Sequence, residues 1–132
     1  MDTIKLELVT PEKLELSTDA ELVEAPGTEG DFGVLPGHSP FISALKAGVV
    51  SIHLGGGETR KIFVVGGVAE VNESACTILA EQTRDLTGAS LADAQGELAR
   101  AKEAAAQAIS EDEQRAAQKQ LQMAEALVSA LG

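Results

Sequence analysis

Few side chains in this 132-residue chain could carry acid–base or covalent chemistry, and their spacing decides what each can be. The two histidines, His38 and His53, are too few and too separated for a metal centre of the usual ligand spacing. His53 alternates with Ile52 and Leu54, the pattern of a solvent-facing strand residue. His38 lies in Leu35-Pro36-Gly37-His38-Ser39-Pro40, a rigid turn, and reads as a turn or interface residue. Ser39 beside it makes no nucleophile, because no G-x-S-x-G elbow surrounds it. A reactive thiol needs a base and an electropositive setting, whereas Cys76 lies on an apolar strand and reads as core. The glycines at 27, 30, 33 and 37 are not followed by a G-K-[ST] element, so they mark tight turns rather than a phosphate loop. No catalytic set and no metal site emerge from these residues.

The charge balance excludes further classes. Ten basic residues stand against 21 acidic ones, a net charge of −11 and a pI near 4.5. Nucleic-acid binding and attraction to anionic lipid both need a basic footprint, which is missing. The longest apolar run, Ile62 to Ala69, is far shorter than the roughly 20 residues of a membrane span. The start, Met1-Asp2-Thr3-Ile4-Lys5-Leu6-Glu7, lacks the features of a signal peptide. One cysteine permits no internal disulfide, in keeping with a reducing compartment.

The elements that must position these residues fall into two halves. All four prolines, all three phenylalanines, eleven of thirteen glycines and fourteen of sixteen Val and Ile lie in residues 1–88. Residues 89–132 hold fourteen alanines and no proline. A β-branched, turn-rich half therefore precedes one of high helix propensity.

In the first half Ile4, Leu6 and Leu8 alternate with Lys5 and Glu7, and Leu14 and Leu16 with Lys13 and Glu15. Further strands are expected at Glu21–Ala25, Val49–Leu54, Arg60–Val65, Val68–Val71 and Cys76–Ala80. Gly55-Gly56-Gly57, Gly66-Gly67 and Asn72-Glu73-Ser74 read as the turns between them. Short strands without an intervening helix predict an antiparallel β-sandwich or barrel. Such a sheet can hide one face and offer another to a partner.

The second half predicts an antiparallel helical hairpin. Ser90 with Asp93, and Ser110 with Glu113, match capping boxes. Leu91, Ala94, Leu98, Ala101, Ala105 and Ala108, closed by Ile109, form one apolar stripe. Ala117, Leu121, Ala124, Val128 and Leu131 form the other, with Leu127 flanking it. Alanine stripes bury little area, so these helices suit a movable element. A static hairpin clamped on the sheet is an equal reading on the sequence alone.

The stretch Val23-Glu24-Ala25-Pro26-Gly27-Thr28-Glu29-Gly30-Asp31-Phe32-Gly33-Val34-Leu35-Pro36-Gly37-His38-Ser39-Pro40 resembles the signature of the epsilon subunit of F-type ATP synthases. Leu45-Lys46-Ala47-Gly48-Val49-Val50 and Val65-Gly66-Gly67-Val68-Ala69-Glu70-Val71 continue the resemblance, as does the order of the two halves. It implies a non-catalytic central-stalk subunit whose β-sandwich binds the gamma shaft and the membrane-embedded c-ring. It also implies a peripheral place on the cytoplasmic face of the energy-transducing membrane. The C-terminal helices would then fold down, or extend toward the alpha/beta catalytic hexamer and inhibit hydrolysis. On this reading residues 1–88 bind the rotor and residues 89–132 regulate. The partner interface is expected on the loop Glu29–Pro40, through Glu29, Asp31 and His38.

Some family members bind ATP on the hairpin through an Ile-Asp-x-x-Arg-Ala motif. Here the matching residues are Gly96, Glu97, Arg100 and Ala101, so the isoleucine is replaced by glycine. The second helix adds only Arg115 and Lys119 as cations, little for a triphosphate. Glu97, Arg100 and Ala101 thus stand as a vestige of that motif, and no cofactor is expected. The competing reading is a stand-alone small β-barrel that binds or converts a small molecule near His38. That protein would work unaided, whereas a rotor subunit requires its partners.

Overall fold

The computed structural model describes residues 2–131. By backbone contacts the chain divides into two compact units, Met1–Thr87 and Gly88–Gly132. The first holds eight strands: β1 (Ile4–Val9), β2 (Leu14–Ala20), β3 (Leu22–Gly27), β4 (Gly30–Val34), β5 (Phe41–Leu45), β6 (Gly48–His53), β7 (Thr59–Val71) and β8 (Ala75–Asp85). The second holds α1 (Leu91–Gln107) and α2 (Glu111–Leu131). A β-sandwich followed by two helices is the architecture that the composition predicts.

The strands run in the order β2-β1-β8-β7-β5-β3-β4, and β6 bridges β3 and β7. Alternation sets what faces inward. Ile4, Leu6 and Leu8 of β1 are wholly buried, as are Cys76 and Ile78 of β8 and Val23 of β3. Leu16, Phe32, Phe41 and Leu54 pack around that core. Cys76 is therefore the core residue that its apolar run predicts.

The structure corrects the expected topology in three places. The sheet is not wholly antiparallel: β1 runs parallel to β8, pairing Lys5 through Val9 with Ala75 through Leu79. These strands are joined by most of the unit rather than by a hairpin, so no tight turn dictates their direction. Two strands, β4 and β5, lie where the glycines and prolines suggest only loop. Gly66-Gly67 is no turn; both residues lie inside β7, a single strand of 13 residues.

That glycine pair shows how one strand serves two partners. β7 pairs with β6 through Thr59–Val64 and with β5 from Gly67 to Val71, while β8 runs alongside both portions. Between them the backbone takes positive φ, +62° at Gly66 and +122° at Gly67. A Cβ on Gly67 would lie 2.0 Å from the Leu79 carbonyl oxygen, so no larger residue fits this corner. Just before it Ile62, Phe63, Val64 and Val65 are all buried, so β7 is covered on both faces there.

The other turns match the sequence. Gly55–Gly57 forms a short 3-10 turn between β6 and β7. Asn72 closes the β7–β8 hairpin: its Oδ1 accepts from the backbone N–H of Ser74 (3.0 Å) and of Ala75 (2.9 Å).

In the helical unit both serines cap as expected. Ser90 Oγ accepts from Asp93 N–H (3.3 Å) and Ser110 Oγ from Glu113 N–H (3.1 Å). The Glu113 carboxylate reaches back to the N–H of Ile109 rather than of Ser110. The helices pack on each other across the three-residue connection Ala108–Ser110, but few of their residues are buried: Ala94, Ala124 and Leu127. Two stripe assignments shift. Leu127 is buried where Val128 is only half-buried, and Ile109, expected to close the first stripe, is 86% exposed. It falls in the connection after α1 has ended, where helical spacing no longer sets direction.

Candidate functional site

The stretch expected to meet a partner, 29–40, is built from a turn, a strand and a second turn. Glu29 sits exposed in the β3–β4 turn, and Asp31 is exposed on β4 opposite Pro26. His38 lies past the other end of β4, half-buried, so the three are not one cluster. Among the described residues no hydrogen bond or ion pair joins them. The single loop expected over Glu29–Pro40 is thus corrected, because Gly30–Val34 pairs with β3 along its whole length.

The second turn is held firmly. His38 N–H donates to Leu35 O (3.1 Å), and Gly37 N–H donates to Glu73 O (3.0 Å) at the tip of the β7–β8 hairpin. The His38 imidazole donates through Nδ1–H to Ser39 O (2.7 Å). Its ring lies 5.0 Å from that of Phe41, which meets Phe32 edge-on at 5.0 Å. His38 thus ends an aromatic row, with its proton committed to a neighbouring carbonyl. That arrangement positions a turn; it does not activate Ser39.

A second feature appears only once the strands are paired. Ala44 of β5 faces Val68 of β7, Val68 faces Leu79 of β8, Leu79 faces Val9 of β1, and Val9 faces Leu14 of β2. The inward parity of these strands is set by Leu8, Ala69 and Ile78, so Val9, Val68 and Leu79 point outward. Ile42, two residues from Ala44, extends the same patch. Ile42 is 70% exposed, Leu14 52%, Leu79 48% and Val68 38%. Four of the chain's exposed large apolar residues thus share one face across five strands. An apolar strip on a charged chain is a candidate protein-binding surface. Each residue alone looks like an ordinary strand position, so only the register reveals the row.

Other polar groups are braces. His53 Nε2 lies 2.5 Å from Glu24 Oε1, linking β6 to β3, and is more engaged than a merely solvent-facing residue. Arg60 Nη2 donates to Asp85 Oδ2 (2.9 Å). Burial pushes the Cys76 thiol up to about 11, the opposite of a nucleophile. Among the described residues no group of three His, Cys, Asp or Glu is placed to hold a metal ion, and no helix is long and apolar enough to cross a membrane.

On the hairpin, Glu97 and Ala101 are half-buried and Arg100 is exposed. The Arg100 guanidinium folds back over Gly96, 3.5 Å from where a Cβ would stand. The open groove between the helices lies farther along, lined by Ala104, Gln107, Ala108, Glu113, Ala117 and Gln120 among others. None of the three motif residues lines it.

Comparison with known proteins gives this geometry its context. The family described as ATP synthase, delta/epsilon chain, beta-sandwich domain matches residues 3–85. The ATP synthase epsilon chain of Rhodospirillum rubrum is 43% identical over 129 residues, which span 98% of this chain and 96% of that one. The ATP synthase epsilon chain of Paramagnetospirillum magneticum is 39% identical over 130 residues, 98% of each chain. A chain in the Euglena gracilis mitochondrial ATP synthase structure of OSCP, F1 and c-ring has the same fold. Its TM-score is 0.82 at 23% identity, over 98% of this chain and 82% of that one. A chain from the Tetrahymena thermophila ATP synthase central stalk and c-ring gives 0.68 at 16% identity, over 99% and 98%. With a matching sandwich and relatives aligned almost from end to end, the chain belongs to the ATP synthase epsilon chain family.

Proposed function

We propose that this chain is a non-catalytic central-stalk subunit of a proton-translocating F-type ATP synthase. In this reading its β-sandwich joins the gamma subunit to the c-ring and so couples ring rotation to ATP synthesis. The observation that carries it is the apolar row Ala44–Val68–Leu79–Val9–Leu14, a strip of non-polar side chains across five strands on a chain of net charge −11. We assign this row to the gamma subunit. The braced 35–40 turn, with the exposed Glu29 and Asp31, is assigned to the polar loops of the c-ring. A rigid surface loses little conformational freedom on docking. The subunit sits peripherally on the cytoplasmic face of the cell inner membrane, held there by its partners.

The hairpin regulates weakly. Beyond Lys119 the second helix carries no Lys or Arg, so little cationic charge is available to grip the alpha/beta hexamer. Glu97, Arg100 and Ala101 hold no nucleotide, because Gly96 removes a packing contact and cations are sparse. Titration calorimetry with ATP on the isolated subunit checks this, and micromolar binding would overturn it.

Copurification tests the main reading. Tagged chain expressed in its native membrane should bring down the gamma, catalytic and c subunits. Val68→Asp with Leu79→Glu should abolish that capture while the isolated variant keeps its melting temperature. Normal assembly by the double variant would refute the assignment of the row. Asp31→Ala with His38→Ala should weaken proton-coupled synthesis; unaltered synthesis and assembly would remove these residues from the c-ring contact.

A further inference from the structure

The tip of the β7–β8 hairpin joins two segments that are far apart in the chain. Asn72 Oδ1 accepts from Ser74 N–H (3.0 Å), Ser74 Oγ (3.3 Å) and Ala75 N–H (2.9 Å), and Asn72 N–H donates to Ala75 O (2.9 Å). One side-chain oxygen thus sets the shape of the tip. The carbonyls of the two residues inside that turn are both taken by other segments. Ser74 O accepts from Lys5 N–H (3.1 Å) in β1, where the flanking Ile4 and Leu6 are wholly buried. Glu73 O accepts from Gly37 N–H (3.0 Å). Among the described residues this is the only backbone bond outside the strand ladders that leaves the 35–40 turn. That turn carries the half-buried His38 and Leu35, which is 57% exposed.

We propose that Asn72 is a positioning residue for this turn: by fixing the Glu73 carbonyl it holds Leu35 and His38 in the shape that a partner meets. That the turn meets a partner rests on the c-ring reading above; the positioning itself does not. Asn72 is exposed and acts through the backbone. The Glu73 side chain is not required, because its main-chain carbonyl makes the bond. The Asn72 amide nitrogen is not required either, since among the described residues all the bonds of that side chain are accepted by Oδ1. An aspartate offers the same acceptor, a serine hydroxyl a weaker one, and an alanine none. Without the acceptor the tip samples other turns, and the Gly37 N–H meets water while the Glu73 carbonyl is out of place. A turn already in its bound shape loses less freedom on docking.

Amide hydrogen exchange on the isolated full-length chain tests this without any partner subunit. In Asn72→Ala the Gly37 and His38 amides should exchange about tenfold faster, while Ile52 and Ile78 in the core keep their parent rates. Asn72→Asp should restore the parent rate at Gly37, Asn72→Ser should fall between, and Glu73→Ala should change nothing there. Faster Ser74 and Ala75 amides with an unchanged Gly37 rate would confine Asn72 to its own hairpin and overturn the proposal. A Gly37 rate that rises only in step with Ile52 and Ile78 would overturn it too, as a general loosening of the sheet. Should Asn72→Ala fail to fold, equal Gly37 rates in the parent, Asn72→Asp and Asn72→Ser would overturn it. Normal assembly and synthesis with Asp31→Ala and His38→Ala would instead remove the c-ring contact and leave the positioning role standing, so the two readings fail separately.

Discussion

The two units obtain their order from different sources. The β-sandwich buries large branched side chains (Ile4, Leu6, Leu8, Ile52, Ile78) in a core assembled from strands distant in sequence. The helical unit buries Ala94, Ala124 and Leu127 and relies on helix propensity and two serine caps. Tertiary packing holds the first unit together, whereas the second draws more of its order from local bonds. On the proposed reading, with a rotor part and a regulatory part, those opposite solutions are what the two units would need.

Substitutions in the two units should therefore behave differently, and the sharpest contrast is at Gly67. Gly67→Ala drives a methyl into the Leu79 carbonyl at a φ that L residues avoid, at a cost of about 3 kcal/mol or more. The expected result is loss of the cooperative sandwich transition in calorimetry, with helical circular dichroism largely retained. A normal transition would mean the corner relaxes freely.

Next, Ile78→Ala removes a fully buried side chain and should cost about 2–5 kcal/mol in chemical denaturation. Leu127→Ala on the helical unit should leave the sandwich transition within about 0.5 kcal/mol of the parent. Equal effects on that transition would break the division of labour. Ser110→Ala, which removes one cap, should cost about 1 kcal/mol of helix stability and nothing in the sandwich.

Removal of residues 89–132 should raise ATP hydrolysis by the assembled enzyme only about two- to threefold, less than about 1 kcal/mol of barrier. Synthesis should persist, and the truncated chain should still fold. A hundredfold release would identify a strong brake.

The smallest effect is electrostatic. Asp85 has its carboxyl lowered from 3.8 to about 2, so its contribution is complete above the ordinary carboxylate range and is lost as pH falls through about 2. Arg60→Met should raise its NMR titration midpoint only partway, because the Thr87 N–H remains. A midpoint at the ordinary value in the parent chain would mean that neither Thr87 N–H nor Arg60 holds this carboxylate in solution.

Much of the fold was legible because local chemistry and final structure agree: Ile4, Leu6 and Leu8 alternate, Asn72 turns a hairpin, Ser90 and Ser110 cap helices. The misses are places where a residue means two things. A glycine pair reads the same in a turn and at a strand corner, and only the nearness of Leu79 O to Gly67 separates them. β4 and β5 were hidden because Gly30, Gly33 and Pro40 signal turns more loudly than Phe32 and Phe41 signal strand. The parallel β1–β8 contact leaves no mark in either strand. Of the candidate site, the rigid His38 turn was readable. The apolar row was not, since Val9, Leu14, Ala44, Val68 and Leu79 meet only through register.

Cys76 has a practical consequence. It is the chain's one thiol, fully enclosed, with its proton held to about pH 11. Burial keeps the thiol protonated at neutral pH and out of reach of a reagent. Alkylation must wait for the sandwich to open, so the labelling rate is a clock for that opening. Run on the free subunit and again within the assembled enzyme, the clock would report how far the neighbouring subunits slow the breathing of the sheet, with no probe added to the protein.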